Sequence, residues 1–262
     1  MIAARIFKFL MLFSVAARNL GPAAAFSALV VGKYTNRLLT VRMRFCGRSF
    51  SFRGRDDRGV LTHFMIDNYR IVDRPDRRVQ YIIDAGANIG DETLRFRHFH
   101  PQAAIVAVEP AAENYAVLAR NFRGDPQVKT VCRGLWPTAA KLAVERGATA
   151  EGYRVREVDG EDFDIEAVTI EQLLREHGFP RIDILKLDIE GAEYHLFSRN
   201  TESWVGKVGV LIFECNDTDV RGAAQSVFRA TIGEPFDCFI SGESLVMIRR
   251  ETGWSLRTSP WY

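Results

Sequence analysis

The apolar positions of this chain follow three different patterns. In the first forty residues, Ile2-Ala-Ala-Arg-Ile-Phe-Lys-Phe-Leu carries basic residues early, and uncharged apolar runs cover 9–17 and 22–31. Neither run reaches the roughly eighteen residues that a membrane span requires. With Lys8, Arg18, Lys33, Arg37, Arg42 and Arg44 interspersed, the pattern predicts two amphipathic helices, suited either to packing on a neighbouring domain or to an anionic membrane surface. Thr40-Val-Arg-Met-Arg-Phe45 and Ser49-Phe-Ser-Phe52 then alternate on either side of Cys46-Gly-Arg48, which predicts a β-hairpin. Residues 53–58 form a charged loop. Leu61, Phe64, Met65 and Tyr69 share one face of a helix over 60–71. The polar, proline-containing Asp73-Arg-Pro-Asp-Arg-Arg78 marks a boundary, giving an extension over 1–75, a main domain over 76–250 and a tail over 251–262.

From residue 79 short β-rich runs alternate with helical spacing, the pattern of a doubly wound, mostly parallel α/β sheet. The strands are Val79-Gln-Tyr-Ile-Ile83, Ile105-Val-Ala-Val108, Val128-Lys-Thr-Val-Cys132, Ile182-Asp-Ile-Leu-Lys-Leu-Asp-Ile189 and Val208-Gly-Val-Leu-Ile-Phe213, with a short extra strand at Leu142-Ala-Val144. Helices are predicted over 92–99, after Pro110 with Tyr115, Leu118 and Phe122 on one face, and after the capping box Thr169-Ile-Glu-Gln172. Residues 147–164 read as a loop with a solvated acidic run. Phe236-Asp-Cys-Phe-Ile240 and Leu245-Val-Met-Ile248 form a terminal hairpin that inserts an antiparallel strand at the end of the sheet.

Asp84-Ala-Gly-Ala-Asn-Ile-Gly-Asp91 occupies the first strand–helix junction. Gly86 and Gly90 allow a sharp bend and a close backbone approach. A pyrophosphate-binding turn requires G-x-G-x-x-G. Here Asn88 takes the middle glycine position, and the acid Asp84 opens the turn. That acid suits a cationic ligand better than a pyrophosphate. Glu109, at the tip of the second strand, is placed to bind a ribose diol. The D-x-G-x-x-x-G turn followed by V-A-V-E-P resembles the motif of class I methyltransferases that bind S-adenosyl-L-methionine. Ligands of open parallel sheets collect outside the carboxyl ends of the strands, and the residues there are Asp84, Glu109, Arg133, Asp188 and Glu214.

Composition narrows the classes. Hydrophobic residues make up 47% and charged residues 26%, a globular balance, and a net charge of +2 argues against a nucleic-acid partner. Cys46, Cys132, Cys215 and Cys238 form no C-x-x-C pair, which points to buried free thiols in a reducing, cytoplasmic compartment. Ser14-Val-Ala16 also fits a signal-peptide cleavage site.

Asp84-Ala-Gly-Ala-Asn-Ile-Gly-Asp91, Val108-Glu-Pro110 and Ile182-Asp-Ile-Leu-Lys-Leu-Asp-Ile-Glu-Gly-Ala-Glu193 together resemble the FkbM family of methyltransferases, with K-x-D-x-E-G-x-E the most discriminating part. The resemblance implies a Rossmann-like seven-stranded sheet, with the N-terminal helices and hairpin as a small extension. It also implies S-adenosyl-L-methionine as donor and O-methylation of a hydroxyl on a sugar or polysaccharide-linked acceptor. By position, Asp84, Gly86, Ala87, Asn88 and Gly90 would hold the amino-acid end of the donor, and Glu109 and Pro110 the ribose. Gly134 and Leu135, before Trp136, would lie against adenine, although Arg133 stands where many relatives have an acid. Asp188 would contact the donor beside its methyl and be the general base or acceptor contact, with Glu214, Glu190 and Asn216 beside the acceptor. Lys186 reads as an ion-pair partner, and Glu190 and Glu193 also suit a helix N-terminus. Asp188, Glu214 and Asn216 are oxygen donors of the kind that hold Mg²⁺, but the sequence does not require a metal. His98, His100 and His195 read as surface or capping residues. Two other classes remain: a binding domain without catalysis, and a nicotinamide oxidoreductase, against which Asn88 and the terminal hairpin argue.

Overall fold

The computed structural model describes residues 10, 13–14, 16–18, 21–26, 29–30, 32–57, 60, 70–146, 152–214, 217 and 220–257. The face expected from Leu61, Phe64, Met65 and Tyr69, together with Lys8, Cys215 and Asn216, lies outside them. Among the described residues no helix is long and apolar enough to cross a membrane.

Seven strands make the main sheet: β4 (Tyr81–Ala85), β5 (Ala104–Val108), β6 (Val128–Val131), β11 (Ile182–Leu187), β12 (Val208–Glu214), β13 (Phe236–Ser241) and β14 (Ser244–Arg249). Their order is β13-β14-β12-β11-β4-β5-β6. All neighbours from β12 to β6 are parallel, and β14 runs antiparallel between β12 and β13. The Rossmann-like seven-stranded sheet read from the sequence is therefore present, with its antiparallel strand where the terminal hairpin predicted it.

Continuous burial along β4, β5, β11 and β12 follows from helices covering both faces. Period-two alternation sorts their side chains into two cores. Ile82, Ile105, Ile184, Val210 and Ile248 face one core, and Ile83, Val106, Leu185, Leu211 and Met247 face the other. The first core is completed by α1 (Asp91–Phe99), α2 (Ala112–Asn121) and the N-terminal hairpin. The second is completed by α3 (Ile170–His177), α4 (Glu193–Ser198) and α5 (Ala223–Thr231).

The hairpin pairs β1 (Leu38–Arg42) with β2 (Ser49–Arg53), as its alternation predicted. It is built into the main core, because Met43, Phe50 and Phe52 are fully buried there. Asn121 of α2 ties it down, accepting from Ser51 N at 2.7 Å and donating to Ser51 O at 3.0 Å. Asp125 adds an ion pair to Arg48 of the hairpin turn and another to Arg97 of α1.

Several expectations change. The first strand runs on through Asp84 and Ala85, so the acid lies within the sheet instead of opening the turn. Arg70 and Ile71, expected to end a helix, instead form β3 (Arg70–Val72), which pairs with β15 (Ser255–Arg257) of the tail. A second, four-stranded sheet places one strand, residues 153–157, inside the loop expected over 147–164. Its order is β7-β10-β8-β9, from β7 (Gly134–Leu135), β8 (Lys141–Arg146), β9 (Tyr153–Glu157) and β10 (Ile165–Val168). Two acids of the run expected to be solvated hold this sheet: Asp164 accepts from Val144 N at 2.7 Å, and Glu157 from Trp136 Nε1 at 3.1 Å. Pro110 precedes α2 instead of entering its first turn. Among the thiols, Cys46 and Cys132 are half-buried and Cys238 is exposed, all three free; the buried setting expected for them does not hold.

If the hairpin is part of the core, Phe52→Ala should cost about 3–5 kcal/mol, the usual cost of emptying a buried aromatic site. Urea unfolding followed by tryptophan fluorescence measures this. A loss below about 1 kcal/mol would show that the hairpin folds apart from the domain.

Candidate functional site

Strand order reverses between β4 and β11: β5 and β6 lie to one side of β4, and β11 and β12 to the other. Ligand crevices of open α/β sheets form at such a reversal, outside the carboxyl ends of the strands. Register fixes which residues meet there. Lys186 pairs with Asp84 across β11 and β4, Leu187 with Ala85, and Leu187 with Phe213 on the other side. Asp188 and Glu214, the next residues along, therefore sit side by side at the rim.

The turn after β4 is pinned from both sides. Gly86 N and Ala87 N donate to Val108 O of β5, each at 3.0 Å, and Asp188 N donates to Ala85 O at 3.0 Å. Gly86, at φ 74°, has no room for a side chain, since a Cβ there would lie 1.8 Å from Asp188 O. At Gly90, φ 95°, a Cβ would lie 2.4 Å from Phe122 Cε2. The two glycines thus bring the β4 and β11 loops into contact and seat the turn on α2. Asn88 between them is left-handed at φ 48°, a conformation asparagine tolerates better than most residues. Its Oδ1 is buried and meets no donor.

Lys186 binds the crevice together from below. Its ammonium donates to Asp188 Oδ2 at 3.2 Å and to Gly86 O at 3.3 Å, and it lies 3.8 Å from Asp84 Oδ1. Burial opposes the charge, but Asp188 and Asp84, followed by Asp91 and Glu92, outweigh it and raise the lysine above its ordinary range. It acts as an ion-pair partner, as the strand position predicted. Asp84 is fully buried and also accepts from Thr93 Oγ1 of α1. Burial pushes its carboxyl up to about 6 against the pull of Lys186 and Thr93.

Glu109 closes the other side of the turn. Oε2 accepts from Asn88 N at 2.8 Å, and Oε1 accepts from Ala111 N at 2.9 Å and from Asn114 Nδ2 at 3.5 Å. A carboxylate has about four acceptor positions, so these three bonds leave capacity for a ribose hydroxyl. Burial lifts this carboxyl to about 7, opposed by its backbone donors.

The five strand-end residues thus divide. Asp84, Glu109 and Asp188 gather around the turn with Lys186, and Glu214 ends the neighbouring strand, one residue beyond the pair Leu187–Phe213. Arg133 points away and pairs with Glu176 of α3. Glu190 is left-handed at φ 54° in the loop ahead of α4, so the helix-terminus reading does not hold for it. That role falls to Glu193, whose carboxylate accepts from Ile189 N at 3.0 Å and Gly191 N at 2.8 Å. Pro110 continues from Glu109 to Ala111. Gly134 and Leu135 are buried and engaged with β10, and Trp136 beyond them stacks on His195 with ring centroids 4.6 Å apart. His195 is therefore a packing partner, and His100 is a buried helix cap instead of a surface residue. Asn216 lies outside the described residues, so the oxygen set it would share with Asp188 and Glu214 has no complete geometry.

Motif reading missed Thr93, Arg53, Asn114 and Asn121, all of which hold site groups in place. Only Thr93 carried a local signal, being a hydroxyl one turn into a helix that follows a buried acid.

Asp84 and Asp188 share one ammonium, and Glu109 adds a third acid across the turn. Together with the unpartnered Asn88 Oδ1 and the remaining acceptor capacity of Glu109, this suits a ligand that carries a cation and a diol. S-adenosyl-L-methionine is such a ligand, and the residues present fit it.

A family model described as "Methyltransferase FkbM domain" matches residues 84–228. The chain is 32% identical over 160 residues to a protein named methyltransferase sdnD from Sordaria araneosa, covering 47% of this chain and 62% of that one. It therefore spans about three-fifths of that relative's length. Among solved structures, the precorrin-6y C5,15-methyltransferase of Geobacter metallireducens aligns at 12% identity and TM-score 0.38, covering 70% of this chain and 82% of that one. Aeropyrum pernix fibrillarin with natively bound S-adenosyl-L-methionine aligns at 9% identity and TM-score 0.38, covering 67% and 68%. Such loose superpositions locate no ligand in this chain.

Two outcomes check the site. Lys186→Met leaves buried Asp84 uncompensated and should cost about 3–5 kcal/mol in urea unfolding, with part of the loss recovered by adding Asp84→Asn; no recovery would dissolve the pairing. For Glu109 the folded pKa is raised, so the native state holds a proton that the unfolded chain has released. Its stabilising contribution is complete below about pH 4.5 and is lost as pH rises through about 7. From pH 5 to 8 the protein should therefore lose on the order of 1–3 kcal/mol more stability than Glu109→Gln does. Parallel curves would contradict the burial of this charge.

Proposed function

The chain belongs to the FkbM methyltransferase domain family, whose cofactor is S-adenosyl-L-methionine, and from that premise we propose that it is an O-methyltransferase. The proposed acceptor is a hydroxyl of a sugar or polysaccharide-linked molecule. One observation carries the proposal: Leu187 and Phe213 are paired, which puts Asp188 and Glu214 each one residue beyond that pair, at the strand ends of the same crevice that carries the turn 84–91 and Glu109. A pair of carboxylates there suits an acceptor that presents several hydroxyl donors.

The donor, when bound, supplies a methyl group on a positively charged sulfur, ready for in-line displacement. The chain's own work is then positioning, exclusion of water and removal of the hydroxyl proton. Glu109 binds the ribose hydroxyls with its remaining acceptor capacity. Asn88 offers its buried Oδ1 to a donor group such as an ammonium. Asp84, enclosed beneath the turn, acts from a distance, contributing negative charge and holding Lys186. Lys186 keeps the Asp188 carboxylate oriented through Oδ2, which leaves Oδ1 to receive the acceptor hydroxyl and its proton. Glu214 binds a second hydroxyl of the same acceptor.

An assay with methyl-labelled S-adenosyl-L-methionine and a panel of mono- and oligosaccharides tests this reading. Label should appear in ether linkage. Asp188→Asn should lower turnover by about 10²–10⁴-fold, the usual worth of a positioned acid or base, with donor affinity within about threefold of the parent, a difference below 1 kcal/mol. Transfer confined to amines or thiols, or full turnover by the variant, would overturn it.

A further inference from the structure

Family matching begins at residue 84, yet a contact path to Glu109 begins thirty-one residues earlier, at Arg53 of the hairpin. Arg53 ends β2 and is 12% exposed at its side chain. Asp57, itself 1% exposed, clamps it by accepting from its Nε and Nη2. Arg53 Nη2 then donates to Asn114 Oδ1 at 2.5 Å. Asn114, in the first turn of α2 and 1% exposed, faces Glu109 Oε1 with its Nδ2 at 3.5 Å.

The chemistry of these groups gives the path a direction. A guanidinium only donates, so it requires the carbonyl end of the Asn114 amide. The amino end must then face Glu109, and an ionised carboxylate only accepts. Two turns further along α2, Asn121 makes a parallel connection, bonding Ser51 of the hairpin and donating to Ile89 O in the glycine turn at 2.8 Å. One helix thus carries two amide side chains that link the hairpin to two parts of the donor crevice.

We propose that Arg53, acting through Asn114, is a positioning residue for the donor site: it orients the amide so that Glu109 is held as the ionised acceptor that a ribose diol requires. The proposal rests on the donor reading given above. Without Arg53 the Asn114 oxygen loses its charged donor, and an amide turned with that oxygen toward Glu109 suits the protonated acid and repels the carboxylate. The hairpin would then be part of the cofactor site as well as part of the core.

Calorimetric titration of the full chain with S-adenosyl-L-methionine from pH 6 to 9 tests this, using the parent, Arg53→Met, Arg53→Lys, Asn114→Leu and Glu109→Gln. Arg53→Met should weaken donor binding about tenfold at pH 7, and its affinity should recover as pH rises, moving the midpoint of the pH profile upward by about one unit. That is the fold-change expected for one charge-assisted hydrogen bond. Arg53→Lys should restore part of the loss. Adding Arg53→Met to Glu109→Gln should weaken binding no further, whereas simple loosening of the hairpin would weaken both backgrounds alike. If Arg53→Met does not fold, Asn114→Leu carries the same comparison. Equal losses in both backgrounds, or an unchanged pH profile in Arg53→Met, would overturn the role of Arg53. Absence of binding by the folded parent would instead overturn the donor reading itself.

Discussion

Everything at the crevice depends on one largely buried ammonium. Lys186 sits within a strand whose other side chains are nearly all apolar, and it is tolerated because Asp84 and Asp188 face it from β4 and from its own strand end. Breaking such a pair leaves an uncompensated charge in a low-dielectric interior, which costs far more than a surface ion pair contributes. The same ammonium also donates to Gly86 O. Its position thereby sets how closely the β4 turn approaches the β11 loop, and that approach is possible only because residue 86 has no side chain. Charge pairing and backbone geometry are one constraint here, and they meet where strand order reverses.

From that constraint the rest follows outward. Pinning the end of β4 and its turn between Val108 O and Asp188 N presents Asn88 N to Glu109, so the second acid is satisfied by the first loop. Glu109 in turn reaches α2 through Ala111 N and Asn114, and α2 carries the hairpin through Asn114 and Asn121. Buried polar groups in such a chain must all be paired, or each costs its full desolvation. Two buried oxygens of the site meet no hydrogen-bond donor: Asp84 Oδ1, which lies 3.8 Å from the Lys186 ammonium, and Asn88 Oδ1, where a ligand would complete the set.

The parts of this arrangement differ in how readable they were along the chain. β4, β5 and β12 were legible because strands covered on both faces become unbroken apolar runs, as in Val208-Gly-Val-Leu-Ile-Phe213. The Thr169 capping box was legible because both halves of it are local, and the structure contains both bonds. By contrast Tyr153-Arg-Val-Arg-Glu157 alternates charge with apolar residues on an exposed edge and looks like loop beside a glycine-containing stretch. The pairing of β3 with β15 joins segments about 185 residues apart and has no local signal. At the site, motif spacing identified Asp84, Asn88, Glu109 and Asp188. It left out how deeply Asp84 is enclosed, because that depends on Lys186, about a hundred residues later, and on Thr93. It also left out Arg53 and Asn114, whose roles arise only when the hairpin packs on α2.

The central claim is that this crevice takes a cationic nucleoside through acids that a dinucleotide pyrophosphate would avoid. Calorimetric titration of the full chain at neutral pH with S-adenosyl-L-methionine and, separately, with NAD tests it most directly. The account predicts saturable, micromolar binding of the first, about 8 kcal/mol of free energy, and none of the second. Binding of NAD, or binding of neither by folded protein, would contradict it.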